Sequence, residues 1–206
     1  RWVMVRKRDE NAPAPEEVVP NLSDALSVGD LAQNHANFDH YDFKLAGAPH
    51  NWADYTIGEK IDHVDGMTIE EAEHMIATRA FQNTAKVHFN QHTEGQGRFG
   101  RRLIYGGHVI SLARALSFNG LGNAAFIAGI NGGTHVAPCF AGNTVYAWSE
   151  VLDKVEIPGR LDCGALRIRT IATKDHPCAD FPLKGEDGKN HEAVILNLDY
   201  WVIMPR

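Results

Sequence analysis

Arg101–Gly120, RRLIYGGHVISLARALSFNG, decides how the rest of the chain must be arranged. Val109, Leu112, Ala113 and Leu116 fall at i, i+3, i+4 and i+7, the stripe of a helix. Ile110 and Ala115 widen that stripe and leave a narrow polar face. A helix this apolar, yet shorter than a membrane span, belongs inside a core. Gly106 and Gly107 at its start let another group approach the backbone closely, and the first amides of a helix have no internal partner. The expectation is a buried helix whose electropositive start receives a carbonyl oxygen or an anion.

Downstream of this helix the period changes to that of strands. Ala124–Ile130 is apolar, Thr144–Ile157 is long, Leu161–Lys174 alternates, and His191–Met204 closes the chain. Turn signals separate them at Asn131-Gly132-Gly133, Pro158-Gly159 and Asp175–Gly188. Upstream, Tyr55–Val64 holds one strand. Thr68 and Glu71 form a capping-box pattern, after which Ile69, Ala72, Ile76 and Ala80 run at helical spacing to Phe81. Helices followed by a run of strands predict an α+β domain, an antiparallel sheet of about five strands wrapped around the long buried helix.

The remainder bounds the problem. A chain of 206 residues with 44% hydrophobic and 22% charged residues holds one ordinary domain plus an extension. A formal net charge of −6 argues against nucleic acid as a partner. Three widely spaced cysteines without a CxxC pair predict buried thiols in a reducing, cytoplasmic setting. No run of about 18 apolar residues appears, so no membrane partner is expected. Residues 1–8 echo the closing LDYWVIMPR and read as the last strand of a preceding domain. Residues 9–50 read as linker and irregular segment, and 51–206 as the domain itself. HANFDHYDF holds histidines without clean ligand spacing, so a surface loop is expected there and no metal site.

The candidate chemistry lies just before the helix, in FQNTAKVHFNQH. His88 is the informative residue there, since an imidazole is the side chain that passes protons at working pH. Asn83 is no base, but its amide holds and orients a water. The Gly107 N–H stabilises negative charge growing on a carbonyl oxygen. These are parts for adding water to, or removing it from, a double bond conjugated to a carbonyl. His108, inside the helix, ranks behind His88 because its neighbours pack it under the sheet.

The segment from Asn83 to His88, followed by IYGGHVISLARAL, resembles the MaoC-like hydratases of the hot-dog fold. Their fingerprint is Asp-x-Asn-Pro-apolar-His ahead of a buried helix that starts with His-Gly. Asn83 stands at the Asp position, His88 at the His, and Gly106-Gly107 at the His-Gly. THVAPCFAGNTV is similar to the family's Pro-x-x-Pro-Gly-Asp-Thr strand entry, with Ala141 and Asn143 substituted. The resemblance implies an acyl-CoA thioester substrate, a hydro-lyase reaction, and no cofactor beyond the CoA of the substrate. It also implies a second hot-dog domain or a homodimer partner, which suits the echoed strand. Because Asn83 replaces the family's acid, His88 is left as the single ionisable proton carrier. Lys86, Asn90, Arg101, Arg102 and Gly106 complete the expected substrate-binding set. Adjacent arginines point to different sides, so either Arg101 or Arg102 could meet a second substrate carboxylate or the phosphates of CoA.

Two other readings compete. A thioesterase on the same fold needs a carboxylate to help water attack the carbonyl, and no Asp or Glu stands between Phe81 and Gln91. A non-catalytic half that only binds acyl-CoA would tolerate Asn83. Release of free CoA, loss of the enoyl-thioester absorbance, or neither separates the three.

Overall fold

The computed structural model describes Asn11, residues 23–32 and residues 36–206. The strand expected at 1–8, and residues 9–10, 12–22 and 33–35 of the linker and irregular segment, lie outside the described residues. Short helices α1 (Val28–Leu31) and α2 (Phe43–Ala46) precede strands β1 (Lys60–Asp62) and β2 (Met67–Thr68). Helix α3 (Glu71–Ala80), a 3₁₀ turn (Lys86–His88) and α4 (Gln91–Glu94) lead to α5 (Gly106–Leu116) and α6 (Phe118–Leu121). Four long strands follow: β3 (Phe126–His135), β4 (Thr144–Glu156), β5 (Cys163–Lys174) and β6 (Val194–Pro205).

The sheet is antiparallel throughout and runs β1-β4-β5-β6-β3, with β2 also on β4. Its inner face presents Val145, Ala147, Val151, Leu166, Ile168, Leu196, Leu198 and Val202 to Val109, Ala113 and Leu116 of α5. The predicted arrangement, a sheet around one apolar helix, is therefore the observed one. Each fully buried Val, Leu or Ile side chain among them contributes roughly 1.5–3 kcal/mol relative to exposure. The outer face is also covered. Leu26, Leu31 and Phe38 lie over Trp201 and Ile203, and Cys178 and Phe181 lie over Trp148 and Ile171. Between these patches run the ion pairs Arg167–Asp199 and Arg169–Glu150.

A buried polar chain crosses the inner face. Tyr200, Thr170 and Ser149 join hydroxyl to hydroxyl, Ser149 meets His63 Nε2 at 2.8 Å, and His63 Nδ1 donates to the Asn119 carbonyl. Burial lowers the His63 pKa from its ordinary value, which keeps that ring neutral.

Four local expectations are corrected. Asn131-Gly132-Gly133 is not a turn but the continuation of β3, which absorbs its glycines through irregularities between Ile127/Gly129 and Ile130/Gly132. Asn131 there bridges the Leu26 amide and the Asp199 carboxylate. The capping residue of α3 is Glu70 rather than Thr68, with the Glu70 amide donating to Glu73, because Thr68 is held in β2 against Thr144. The buried residues of α3 are His74 and Thr78; of the expected stripe only Ile69, ahead of the helix, is buried in the core, while Ala72, Ile76 and Ala80 are exposed. Ala115 on α5 is exposed too, so the buried stripe of that helix is narrower than expected.

Candidate active site

His88 closes the 3₁₀ turn, with Nδ1 3.0 Å from the Leu103 carbonyl oxygen. A carbonyl only accepts, so Nδ1 carries the proton and Nε2 of the neutral ring keeps a free lone pair. That is the tautomer of a general base. The His88 ring lies 5.8 Å from that of Tyr105, the residue before α5. The Tyr105 amide donates to His74 Nε2 at 2.8 Å, which fixes how the chain enters the helix.

The two glycines are required by rings that lie against them. A methyl on Gly107 would stand 2.5 Å from Cζ and 2.6 Å from the hydroxyl of Tyr105. A methyl on Gly106 would collide with Nε2 of His135 and come within 2.7 Å of its Cε1. Neither glycine has a left-handed φ, so space and not backbone conformation decides the residue. Their amides open α5 and have no hydrogen-bond partner among the described residues. Two N–H groups without a described partner therefore lie beside the His135 imidazole and the Tyr105 phenol, a place where negative charge on an oxygen is stabilised.

His74 is 2% exposed and its pKa is pushed down to about 4, chiefly by burial and then by His108. Between the ordinary histidine range and about pH 4 the unfolded chain takes up a proton that the folded chain refuses. Stability is thus complete at higher pH and falls as pH drops through that window, by up to roughly 1.4 kcal/mol per pH unit for one group. We expect His74→Gln, whose side-chain oxygen still accepts the Tyr105 amide, to flatten this acid limb in a series of melting temperatures against pH.

The structure brings His88, Gly106 and Gly107 to one place and sorts the rest. Asn83 accepts the Ala85 amide in a tight turn and makes no hydrogen bond to His88, which leaves its NH₂ uncommitted. Asn90 caps α4 by accepting the Thr93 amide, and Lys86 is exposed on the same turn as His88. Arg102 is engaged: Nη2 lies 2.9 Å from Glu71, and Nη1 meets the sulfur of Met75. Arg101 is exposed, its guanidinium 4.1 Å from the Phe140 ring centroid. Arg98 lies over Phe99, and Phe99 meets Phe140 edge to face, so two cations and two aromatic rings form one rim. The rim joins the site through the Ile104 amide, which donates to the Cys139 carbonyl. His108 is buried between α5 and α3, 3.3 Å from Glu73 and 5.9 Å from the His74 ring; it packs against a helix and not under the sheet as expected.

Sequence reasoning missed His74, Tyr105 and His135, which lie on three different elements. The thiols are no alternative nucleophiles: all three are buried, and burial pushes Cys139 and Cys178 to about 11. Among the described residues, no group of three or more His, Cys, Asp or Glu side chains is placed to hold a metal ion. No helix there is long and apolar enough to cross a membrane.

No family model matches the chain. Over its whole length it is 63% identical to beta-methylmalyl-CoA dehydratase of Chloroflexus aurantiacus, covering 59% of that protein. It is 58% identical to mesaconyl-CoA hydratase of Cereibacter sphaeroides, again covering 59%. The chain thus spans well under two thirds of the length of these curated relatives. Among solved structures, one described as a MaoC domain protein dehydratase from Chloroflexus aurantiacus superposes with a TM-score of 0.89 at 62% identity, over 98% of this chain and 58% of that one. A Mycobacterium tuberculosis protein described as a double hotdog fold gives a TM-score of 0.54 at 19% identity, over 82% of this chain and 46% of that one, a likeness of fold alone.

Proposed function

From kinship with β-methylmalyl-CoA dehydratase and mesaconyl-CoA hydratase, on a MaoC-like hot-dog frame, we propose that this chain carries a hydro-lyase site for CoA thioesters. The reaction is the reversible dehydration of β-methylmalyl-CoA to mesaconyl-CoA. The observation that carries the reading is His88, with Nε2 free, grouped around Tyr105 with the unpartnered amides of Gly106 and Gly107.

The thioester oxygen docks on the Gly107 N–H, with Gly106 beside it. As charge moves onto that oxygen in the enolate-like transition state, preorganised amides stabilise it without reorganising. His88 Nε2 exchanges the proton of the α-carbon, taking it in dehydration and returning it in hydration. The Asn83 NH₂ donates to the oxygen of the water that joins or leaves the β-carbon. Buried, unactivated thiols suit a reducing compartment, and we place the reaction in the cytoplasm. A second hot-dog unit, from a longer chain or a homodimer, flanks the site.

The test is direct. With mesaconyl-CoA, the enoyl-thioester absorbance should fall without release of thiol. Thiol release would make the site a thioesterase, and no change in either signal would make it a binding module.

The rim supplies the second prediction of this reading. Exposed Arg101 on Phe140, next to Arg98 on Phe99, suits the phosphates of CoA. Arg101→Ala should raise KM about tenfold with kcat nearly unchanged, the pattern of lost uniform binding. The effect should persist with crotonyl-CoA, which lacks the second carboxylate; its disappearance there would assign Arg101 to the acyl group.

A further inference from the structure

His135 ends β3, opposite Leu196 of β6, and its ring lies against the Cα of Gly106 at the start of α5. Neither ring nitrogen has a hydrogen-bond partner among the described residues, although the side chain is half-buried. Histidines with a structural role here behave otherwise: His63 and His74 each have a ring nitrogen fixed by the fold. His135 is placed where only a residue without a side chain at 106 allows it, and no described residue uses its nitrogens.

Resting on the hydratase reading above, we infer that His135 is the second proton carrier of the site, the group that exchanges a proton with the oxygen at the β-carbon. The substitution of Asn83 leaves that position without an acid from the fingerprint segment, and the end of β3 supplies an imidazole against Gly106 at the helix start.

The step balances. In hydration, His135 takes a proton from water as the oxygen forms its bond to the β-carbon. The π electrons move toward the thioester oxygen held by the helix amides, and His88 Nε2–H delivers its proton to the α-carbon. One proton has passed from His88 to His135 and returns through solvent. Dehydration runs the same path backwards, with His88 taking the α-proton and His135 protonating the departing hydroxyl.

The electrostatics fit this division. Burial first, and then the nearby His88, lower the His135 pKa, so a proton on His88 disfavours one on His135. The other titratable groups nearby are Tyr105, with His74, His108 and Glu73 behind it; Leu196 across the strand is apolar.

The experiment compares His135→Gln with His88→Gln in the full protein, on mesaconyl-CoA and on a β-chloroacyl-CoA whose chloride leaves without a proton. His135→Gln should lower kcat for hydration by roughly 10²-fold or more, with KM within a few-fold, yet still eliminate chloride at close to the wild-type rate. His88→Gln should lose both reactions. Hydration within threefold of wild type in His135→Gln, beside an inert His88→Gln, overturns this inference alone. A folded His135→Gln that loses chloride elimination as well shows a structural role and also overturns it. A wild-type protein that hydrates no enoyl-CoA overturns the hydratase reading itself. Should His135→Gln and His135→Asn both fail to fold, NMR titration of His135 in His88→Gln decides: its pKa rises if the pair is coupled, and an unmoved value overturns the pairing.

Discussion

His88→Gln should lower kcat for hydration of mesaconyl-CoA by roughly 10²–10⁴-fold, the range for loss of a positioned acid–base group. Glutamine is the informative replacement. Its NH₂ still donates to the Leu103 carbonyl that holds Nδ1 at 3.0 Å, so the turn survives while Nε2 and its lone pair are gone. KM should stay within a few-fold, because the proposed holds on the thioester oxygen and CoA, the amides of α5 and the Arg98–Phe99–Phe140–Arg101 rim, are untouched. A loss confined to kcat identifies an interaction made in the transition state. Steady-state kinetics with matched melting temperatures check both halves of the expectation. A variant with an unchanged rate would remove His88 from the chemistry.

Gly107→Ala should cost kcat on the order of 10²-fold with little change in melting temperature. In an open helix this exchange stabilises by up to roughly 1 kcal/mol, since alanine is the better helix former. At position 107 the backbone is compatible with alanine, but the added methyl would stand 2.5 Å from the Tyr105 ring. The ring must swing aside, and it is the ring that packs against His88 at 5.8 Å. The methyl and the displaced phenol then crowd the amide proposed to receive the thioester oxygen. Removing one such donor elsewhere costs about 10²–10³ in kcat, which sets the scale. Gains from helix propensity and losses from the displaced ring roughly cancel in stability. Calorimetry beside kinetics therefore separates a catalytic injury from a folding one.

How far the sequence alone reaches can be read from particular residues. The stripe Val109, Ala113, Leu116 was legible because it follows a single helical period, and all three are buried against β4, β5 and β6. His88 and Gly107 could be singled out as candidates for a different reason: both sit on one continuous stretch, the turn at Lys86–His88 and the start of α5. Periodicity failed where a local pattern met a tertiary decision. Ile76 continues an apolar spacing but faces outward, because α3 turns His74 and Thr78 to the core. Asn131-Gly132-Gly133 has turn chemistry, yet pairing with Leu198 and Asp199 of β6 carries the strand through it. Arg101 and Arg102 were indistinguishable in sequence; Glu71 on α3 engages one and Phe140 supports the other. His135 left no local signal, since its partner in space is a glycine that tolerates its ring only in the folded chain.

The most direct measurement is a crystal structure with an unreactive β-hydroxyacyl-CoA analogue bound. The account predicts the thioester oxygen within hydrogen-bond reach of the Gly107 amide, with His88 Nε2 facing the α-carbon. A thioester bound away from the start of α5, with His88 turned from it, would contradict the account.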